Sequence, residues 1–249
     1  MFKLLLKIFM FILIAWLILT SLIFSYRKLS QVKCGKVVII IPEDSPRFID
    51  EEEITGIISK ADAHLFEKQM NAINTEKIER DLEKVASIKN AEVYRRITCD
   101  HLDFQGKLVV EVEQRIPVFR VMSGDDDYYI DREGVKVPVS RKFAMRTLVV
   151  TGSVKEQFAG ERLLPLIRFI REDEFWKAQI QQINVEPDGD LELVPLVGDQ
   201  LIEFGEPEGY REKFRNLRAL YEQGFAETGW ERYRKISLKY KNQIVCTKK

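Results

Sequence analysis

The sequence has little of what most catalytic and nucleic-acid-binding sites are built from. Its 249 residues include two histidines and three cysteines, and 39 basic residues are balanced by 39 acidic ones. A net charge of zero gives no electrostatic reason to expect nucleic acid, because proteins that bind it carry a basic face. No C-x-x-C pair and no glycine-rich phosphate loop occurs, so neither a zinc site nor a nucleotide site is expected. Low-complexity tracts and internal repeats are also missing.

The few cysteines and histidines favour ordinary structural roles. Cys34, Cys99 and Cys246 are scattered and odd in number, so one disulfide is conceivable outside the cytoplasm, whereas buried or free thiols are the simpler interpretation. His64 and His101 lie in different segments, and no nucleophile signature such as G-x-S-x-G accompanies them.

One acidic cluster is the obvious candidate for a metal site. It comprises Asp125, Asp126, Asp127 and Asp131. The cluster lacks the spacing of a calcium-binding loop, and a polar hairpin loop explains it more simply. Because no acid, base and pocket can be assigned together, we predict a protein that is not an enzyme and that has no metal, cofactor or small-molecule substrate.

What the sequence does have is one long apolar run near its start, "IFMFILIAWLILTSLIF". At about 1.5 Å per helical residue its length approaches the roughly 30 Å hydrocarbon thickness of a bilayer. A cleaved signal peptide is the alternative, but the run is longer than a usual signal core and no A-x-A-like pair follows. We therefore predict a tail at 1–7 and a transmembrane helix at 8–26. Its expected anchor residues include Ile8, Trp16, Phe24 and Tyr26.

Residues 35–115 are predicted to form a first soluble domain with the order strand, helix, helix, strand, strand. Asp50 followed by Glu53 resembles a capping box, and Asn74 is a candidate N-cap for the second helix. A strand is expected at 91–97. After a turn at Gly106, the stretch "KLVVEVEQRIPVFRV" reads as one long strand.

Residues 116–249 are predicted to form a second domain that is rich in strands and carries two packed helices. Strands are expected in "YYIDREGVKVPVS", in "RTLVVTG" and in a meander, "QINVEPDGDLELVPLVGDQLIEFG". One amphipathic helix is expected at 163–176, with Leu163, Ile167 and Ile170 facing inward. A second is expected along the apolar stripe from Tyr210 to Phe225.

The final segment, "ISLKYKNQIVCTKK", is predicted to contain a strand at 236–240, a turn at 241–242 and a short strand at 243–246. We expect the first of these strands to present an uncovered edge, to which a partner could add a strand through its backbone. The alternative is that the segment is a core hairpin paired within the domain. The expected partner-binding residues are Ile236, Ser237, Leu238, Lys239, Tyr240, Asn242, Ile244 and Cys246.

Four stretches behind the apolar run resemble the FtsQ/DivIB family of bacterial cell-division proteins. They are "IERDLEKVASIKNAEVYRR", "LVVEVEQRIPVFRV", "YYIDREGVKVPVS" and "LELVPLVGDQLIEFGEPEGYREKFRNLRALY". The first soluble module of that family is a POTRA domain, so the resemblance implies an α+β protein with a transmembrane helix, a POTRA-like βααββ domain and a C-terminal β domain. The resemblance covers nearly the whole chain.

The resemblance also implies a role and a location. It implies a non-catalytic scaffold of the divisome, single-pass in the inner membrane, with its amino terminus in the cytoplasm and its soluble domains in the periplasm at the septum. It implies FtsB- and FtsL-like partners among other divisome components, with FtsB held by strand addition near a tyrosine that aligns with Tyr240. Basic residues flank both ends of the apolar run, so charge alone does not set the orientation.

Two other functions stay open from the sequence alone. One is a membrane-anchored periplasmic enzyme or ligand-binding protein with a POTRA-like module. The other is an outer-membrane assembly factor, which is the weaker alternative because no barrel strands follow the module. Depletion of the protein would separate a division scaffold, whose loss gives undivided filaments, from an enzyme, whose loss gives a metabolic defect.

Overall fold

The computed structural model describes residues 2–43, 45–100, 103–140, 142–225, 229–241 and 243–249. The chain divides into two compact units, Met1–Ser45 with Ile49–Gln114 and Pro46–Phe48 with Arg115–Lys249. The architecture is α+β: an N-terminal apolar helix, a small mixed sheet with helices, and a larger β-rich part with helices. This is the fold class that the sequence predicts.

The first helix, α1 (Phe2–Ser30), contains the predicted anchor residues Ile8, Trp16, Phe24 and Tyr26. Its segment Phe9–Ser30 is long and apolar enough to cross a membrane, judged by length and composition. Side chains such as Phe24 and Tyr26 are about three-quarters exposed. An apolar surface of this extent marks a helix that lies in a membrane or against a partner, since soluble proteins rarely leave one uncovered.

The first unit continues as a three-stranded sheet with two helices, in the predicted order β, α, α, β, β. Its elements are β1 (Cys34–Ile40), α2 (Glu51–Ala61), α3 (Thr75–Glu83), β2 (Ile88–Asp100) and β3 (Asp103–Gln114), with two short 3-10 helices between α2 and α3. The strand order is β1-β3-β2; β1 runs parallel to β3, and β2 runs antiparallel to it.

Both helix starts in this unit are fixed by local chemistry that the sequence already shows. The Asp50 carboxylate accepts a hydrogen bond from the Glu53 N–H at 2.9 Å, and the Glu53 carboxylate accepts one from the Asp50 N–H. This is a complete capping box. The Asn74 side chain accepts from the Lys77 N–H at 3.0 Å and caps α3. The buried Ile54, Ile58, Ile78 and Leu82 then fill the core under the sheet.

The predicted turn at Gly106 is wrong. Gly106 lies inside β3, paired with Cys34 on one side and Ile97 on the other. A Cβ atom built on Gly106 would lie 2.3 Å from the Lys33 carbonyl oxygen and 2.7 Å from Met70 Cγ. The glycine is therefore explained by the close approach of a neighbouring backbone rather than by a change of chain direction.

The second unit is built on a nine-stranded sheet in the order β12-β11-β10-β9-β8-β7-β4-β5-β6. Its strands are β4 (Pro117–Ser123), β5 (Asp126–Asp131), β6 (Lys136–Pro138), β7 (Leu148–Gly152), β8 (Ile180–Val185), β9 (Leu191–Pro195), β10 (Leu201–Gly205), β11 (Tyr233–Ser237) and β12 (Val245–Lys248). The predicted meander is the antiparallel run β8-β9-β10. The single long strand predicted across Arg115 is instead two strands, because β3 ends at Gln114 and β4 begins at Pro117.

Helices of the second unit pack on this sheet through a large apolar core. They are α4 (Glu156–Phe158), α5 (Leu164–Glu172), α6 (Glu174–Gln179) and α7 (Tyr210–Ala219), with π-helical turns at Ala159–Leu163 and Leu220–Gly224 and a 3-10 turn at Trp230–Arg232. The predicted inward residues Leu163, Ile167 and Ile170 are fully buried.

The helix predicted at 163–176 is broken at Asp173. Its carboxylate accepts hydrogen bonds from the N–H groups of Phe175 and Trp176 at 3.0 and 3.1 Å. It therefore begins the new helix α6, and Arg218 also donates to it at 2.6 Å. Periodicity alone misses the break because the apolar residues on both sides of Asp173 still face the same core.

The close packing at Gly106 predicts that Gly106→Ala destabilises the first unit. We expect the free energy of unfolding to fall by about 1–3 kcal/mol, as for other overpacked sites. Gly56→Ala is the matched control, because Gly56 lies inside α2 with no atom within 4 Å of an added Cβ. That change should stabilise the unit by about 0.5–1 kcal/mol. Urea denaturation of both variants measures the two effects. A change in the free energy of unfolding with the same sign in both variants would contradict the packing argument.

Candidate functional site

The end of the large sheet is formed by β11 and β12. β11 runs parallel to β10, with Ile202 opposite Ile236, and antiparallel to β12, with Ile236 opposite Cys246. The prediction that residues 236–240 form an exposed edge strand is therefore wrong. β11 ends at Ser237, and backbone of the same domain pairs with both of its sides.

The reason for this error lies in the core. Ile236 and Leu238 are buried side chains of the main apolar cluster, and the Leu238 N–H donates to the Glu203 carbonyl at 2.8 Å. The alternating pattern correctly indicates a strand face, but it says nothing about whether a neighbouring strand covers the edge. That neighbour is β12, which also contains one residue of the predicted set, Cys246.

Among the described residues, β12 pairs with β11 alone, so its other side is the free edge of the sheet. The Lys249 N–H donates to the Arg232 carbonyl at 3.0 Å, so Lys249 points its backbone groups toward β11. Backbone direction alternates along an antiparallel strand. Thr247 and Val245 therefore face β11, while Cys246 and Lys248 present N–H and C=O groups to the outside.

The edge strand at the opposite end of the sheet has features that block strand addition. The edge strand there, β6, has three residues, and one of them is Pro138, which has no N–H to donate. Lys136 of the same strand contacts the Tyr128 ring at 4.3 Å and pairs with Glu156 at 3.6 Å. Short length, proline and lysine are the usual means by which proteins block strand addition. Proline is missing from β12.

The predicted partner-binding residues fall into two groups. Ile236, Ser237 and Leu238 are buried, whereas Lys239 and Tyr240 are exposed, and Tyr240 keeps 60% of its surface. Ile244 and Cys246 are half-buried and pack against the main core. Asn242 lies outside the described residues. The side chains of the exposed residues are accessible to a partner, whereas the buried residues can only hold the exposed ones in position.

An ion pair joins β10 to β11 beside Ser237. The Lys235 ammonium lies 2.6 Å from the Glu203 carboxylate, and the hydrogen bond from Lys235 lowers the pKa of Glu203 below its usual value. The Ser237 side chain also hydrogen-bonds to Glu203. These contacts join β10 to β11 on the face away from the core, so Ser237 has a structural role there.

The segment after β11 is fixed by Lys239. Its ammonium lies 2.5 Å from the Asp190 carboxylate, and this hydrogen bond raises the pKa of Lys239. A Cβ atom built on Gly205, at the end of β10, would lie 3.0 Å from Lys239 Cγ. The backbone at Lys239 is thus held close to β10, which sets the position from which Tyr240 projects.

A surface groove of about 380 Å³ lies beside Tyr240. One wall comes from the segment around Tyr240, and the other from the start of α7 and the residues before it. Its lining includes Glu206, Glu208, Glu212, Lys213, Leu238, Lys239, Tyr240, Lys241, Gln243 and Ile244. The α7 wall is not predicted from the sequence, because the two walls are distant along the chain. The motif "GEPEGY" between β10 and α7, rich in turn residues and carboxylates, is the local signal that could have drawn attention to it.

Lys213 is the fixed cation of the groove. Its ammonium donates to the carbonyls of Phe204 and Glu206 at 2.9 and 2.7 Å. Burial lowers its pKa. Lys213 therefore joins α7 to the end of β10. Lys241 has no ion-pair partner among the described residues and remains available to a ligand.

The acidic cluster serves the hairpin of β4, β5 and β6. Arg120 donates two hydrogen bonds to the Asp127 carboxylate, at 2.7 and 2.5 Å, and this lowers the pKa of Asp127. Asp131 is buried and accepts from the N–H groups of Glu133 and Val135, both at 2.8 Å. In the part of the chain that the structure describes, no group of three or more His, Cys, Asp or Glu could hold a metal ion.

The remaining titratable residues of interest are separate from the groove. His64 is an exposed residue 3.4 Å from Glu67, and His101 lies outside the described residues. The three cysteines are free thiols; Cys34 is buried, Cys99 is exposed and Cys246 is half-buried. Burial raises the pKa of the Cys34 and Cys246 thiols. This is typical of packed rather than reactive cysteines.

Comparison with known families agrees with this architecture. A profile described as FtsQ/DivIB, C-terminal related, matches residues 116–247, which is more than half of the chain. The chain belongs to the FtsQ/DivIB family. A second profile, the POTRA-like domain, matches residues 32–100 and so covers most of the small mixed sheet and its helices. No curated protein matches the sequence.

Membership of the FtsQ/DivIB family supports a divisome-type protein, since this is a non-enzymatic family of division scaffolds. The family and the apolar helix α1 together suggest a single-pass membrane protein. They also suggest protein partners within the divisome.

The two groups of predicted residues should differ in what they do for stability. Ile236→Ala removes a fully buried side chain and should lower the free energy of unfolding by about 2–5 kcal/mol. Tyr240→Ala removes an exposed one and should change it by no more than about 0.5 kcal/mol. Urea denaturation in detergent measures both. A large loss for Tyr240→Ala would mean that this ring is structural.

Proposed function

We propose that this protein is a membrane-anchored, non-catalytic scaffold of the divisome that recruits and regulates septal cell-wall synthesis. In this proposal α1 crosses the inner membrane with its amino terminus in the cytoplasm, and both soluble units lie in the periplasm at the septum. FtsB- and FtsL-like proteins are its direct partners. The family membership of the β domain supports the role, and the geometry at β12 supports the mode of binding.

The single observation that carries the binding mode is the unpaired edge of β12. Cys246 and Lys248 direct N–H and C=O groups outward, and an extended segment of the partner can pair with them as a tenth strand. Lys248 has no ion-pair partner among the described residues. A cation beside the edge discourages self-association and favours an acidic partner segment.

Tyr240 supplies the side-chain part of the same interface. Its ring is large and has few rotatable bonds, and its hydroxyl can remain hydrated or find a partner. It lies beside the groove whose other wall is the start of α7. A partner strand on β12 that continues past Ile244 reaches this groove. The predicted residues Lys239, Tyr240, Ile244 and Cys246 are therefore retained as a proposed interface, with β12 rather than β11 as the pairing strand.

A backbone test follows from the direction of Cys246. Cys246→Pro removes the outward N–H without removing a hydrogen bond to β11, so we expect the chain to fold but to lose capture of an FtsB-like partner. Cys246→Thr is the matched control, because it changes the side chain and keeps the N–H. Pull-down of the partner by the purified full chain measures both variants. Equal capture by the two variants would place the partner elsewhere.

A side-chain test follows from the exposure of Tyr240. Tyr240→Glu introduces a charge where the proposal requires an aromatic anchor, so we expect capture of the FtsB-like partner to be abolished while the melting temperature is unchanged. Tyr240→Phe retains the ring and should retain most of the capture. In cells, the same Tyr240→Glu variant should give filaments after depletion of the wild-type protein. Normal division with this variant would contradict the proposed role of Tyr240.

A further inference from the structure

A row of three basic residues crosses the small sheet of the first unit. Lys36 on β1 lies opposite Lys107 on β3, and Lys107 lies opposite Arg96 on β2. Directly opposed residues share one face of a sheet, at a strand spacing of about 4.8 Å. The neighbouring Leu108 faces the core, so the row lies on the opposite face. Three like charges are thus held side by side on the outer face.

This arrangement has an electrostatic cost that no ion pair to Lys36 or Lys107 offsets among the described residues. Like charges directly opposite one another destabilise a sheet. Among the described residues, neither Lys36 nor Lys107 has a carboxylate within ion-pair distance. Arg96 contacts Tyr94, through a 3.2 Å hydrogen bond to its hydroxyl and by stacking over its ring. The next row on this face, Val38, Val109 and Tyr94, contains no carboxylate. Glu111, in the row beyond it, already accepts a 2.6 Å hydrogen bond from that hydroxyl. An external anion would relieve the repulsion.

The row lies at the end of the sheet that meets α1. The Lys28 ammonium, in the last turn of α1, is 5.4 Å from the centre of the Phe104 ring. Phe104 precedes Lys107 by three residues, or about 10 Å along a strand. The chain leaves α1 and enters β1 without a flexible linker, because the Val32 carbonyl accepts a 2.8 Å hydrogen bond from Met70 and the Lys33 carbonyl packs against Gly106.

The apolar segment of α1 defines where the bilayer surface falls. Phe9–Ser30 contains 22 residues, which span about 33 Å as a helix. A hydrocarbon core of about 30 Å therefore leaves the last turn of α1, with Arg27 and Lys28, at the level of the headgroups. Attraction of the row to an anionic surface at this level requires a separation of about one Debye length, roughly 8 Å under physiological salt.

We propose that Lys36, Lys107 and Arg96, together with Lys33, bind the phosphate headgroups of anionic phospholipids in the bilayer that α1 spans. Four exposed or half-exposed cations spread over a sheet face suit a fluid layer of negative headgroups better than one shaped ligand. Binding would fix the first unit against the membrane surface. The inference needs α1 to be a membrane span but does not depend on the division role.

The experiment uses the full chain in nanodiscs of phosphatidylcholine that contain a minor fraction of photoactivatable phosphatidylglycerol. Irradiation followed by peptide mass spectrometry should find crosslinks on peptides containing Lys36 and Lys107, besides those on α1. The double variant Lys36→Gln/Lys107→Gln should lower the crosslinking of this region severalfold, since each basic residue near an anionic surface contributes about fivefold to binding. Raising the salt to about 0.5 M should lower it in the wild-type chain.

The matched control is Lys84→Gln/Lys89→Gln. Lys89 pairs with Glu113, which lies at the far end of β3. Glu113 is six residues, or about 20 Å, from Lys107. Lys84 pairs with Asp81. This variant loses the same charge and should keep the wild-type yield. In neutral detergent, the Lys36→Gln/Lys107→Gln variant should melt no lower than the wild type, because repulsion has been removed. That readout separates lost lipid binding from lost folding.

Several outcomes would overturn the proposal. Crosslinks confined to α1, equal yields from the two double variants, or equal competition by phosphatidylcholine and phosphatidylglycerol would each show that the row does not recognise anionic lipid. Displacement of the crosslinks by polyglutamate but not by phosphatidylglycerol would assign the row to an acidic protein segment instead. A yield in the wild-type chain that does not change with salt would exclude a charge-based contact.

Discussion

The organisation of the β domain depends on how its nine-stranded sheet ends. A sheet that does not close into a barrel must leave two edges, and each edge carries backbone groups that seek hydrogen-bond partners. One edge is shortened to three residues and contains Pro138, while the other, β12, keeps outward N–H groups at Cys246 and Lys248. Pro138 removes an N–H from one edge, whereas β12 contains no proline. The proposed binding surface follows from this difference.

Nearby packing gives the open edge a defined shape. Lys213 ties the start of α7 to the carbonyls of Phe204 and Glu206, and Lys239 is held by Asp190. These contacts come from two different elements and leave Tyr240 between them, beside the groove. A ring presented from a fixed backbone loses less conformational freedom on binding than one on a flexible loop. In the proposed interface the two lysines would therefore contribute mainly by positioning, and the ring would contribute contact area.

Local features could be predicted from the sequence, whereas pairing between distant segments could not. The caps at Asp50 and Asn74 involve residues three apart, so their pattern contains all the information required. The inward stripe of Leu163, Ile167 and Ile170 was predictable for the same reason. Gly106 was mistaken for a turn because the backbone it accommodates, at Lys33, is more than seventy residues away.

At the candidate site, too, the sequence predicted a strand but not its pairing at the edge of the sheet. The alternation around Ile236 correctly indicated a strand, but it could not decide between an uncovered edge and a core hairpin. The structure has the hairpin, in which β12 covers β11. A pattern within one strand cannot reveal its neighbours. The α7 wall of the groove was missed for this reason too. Family resemblance could predict the two-domain organisation because it contains information about the whole fold.

The free energies of backbone hydrogen bonding and of association explain why an open edge alone is not enough to bind a partner. Two outward residues on β12 offer about four backbone hydrogen bonds, each worth about 1 kcal/mol net. Association costs at least about 4 kcal/mol in lost freedom before any side chain is ordered. In the proposed complex, backbone pairing with β12 would therefore set register and direction but would leave almost no net affinity. The affinity has to come from side chains next to the edge, and Tyr240 with its groove is the described surface that combines exposed aromatic area with fixed geometry. Strand addition at this edge and burial of Tyr240 are thus expected to be energetically inseparable: each is weak without the other.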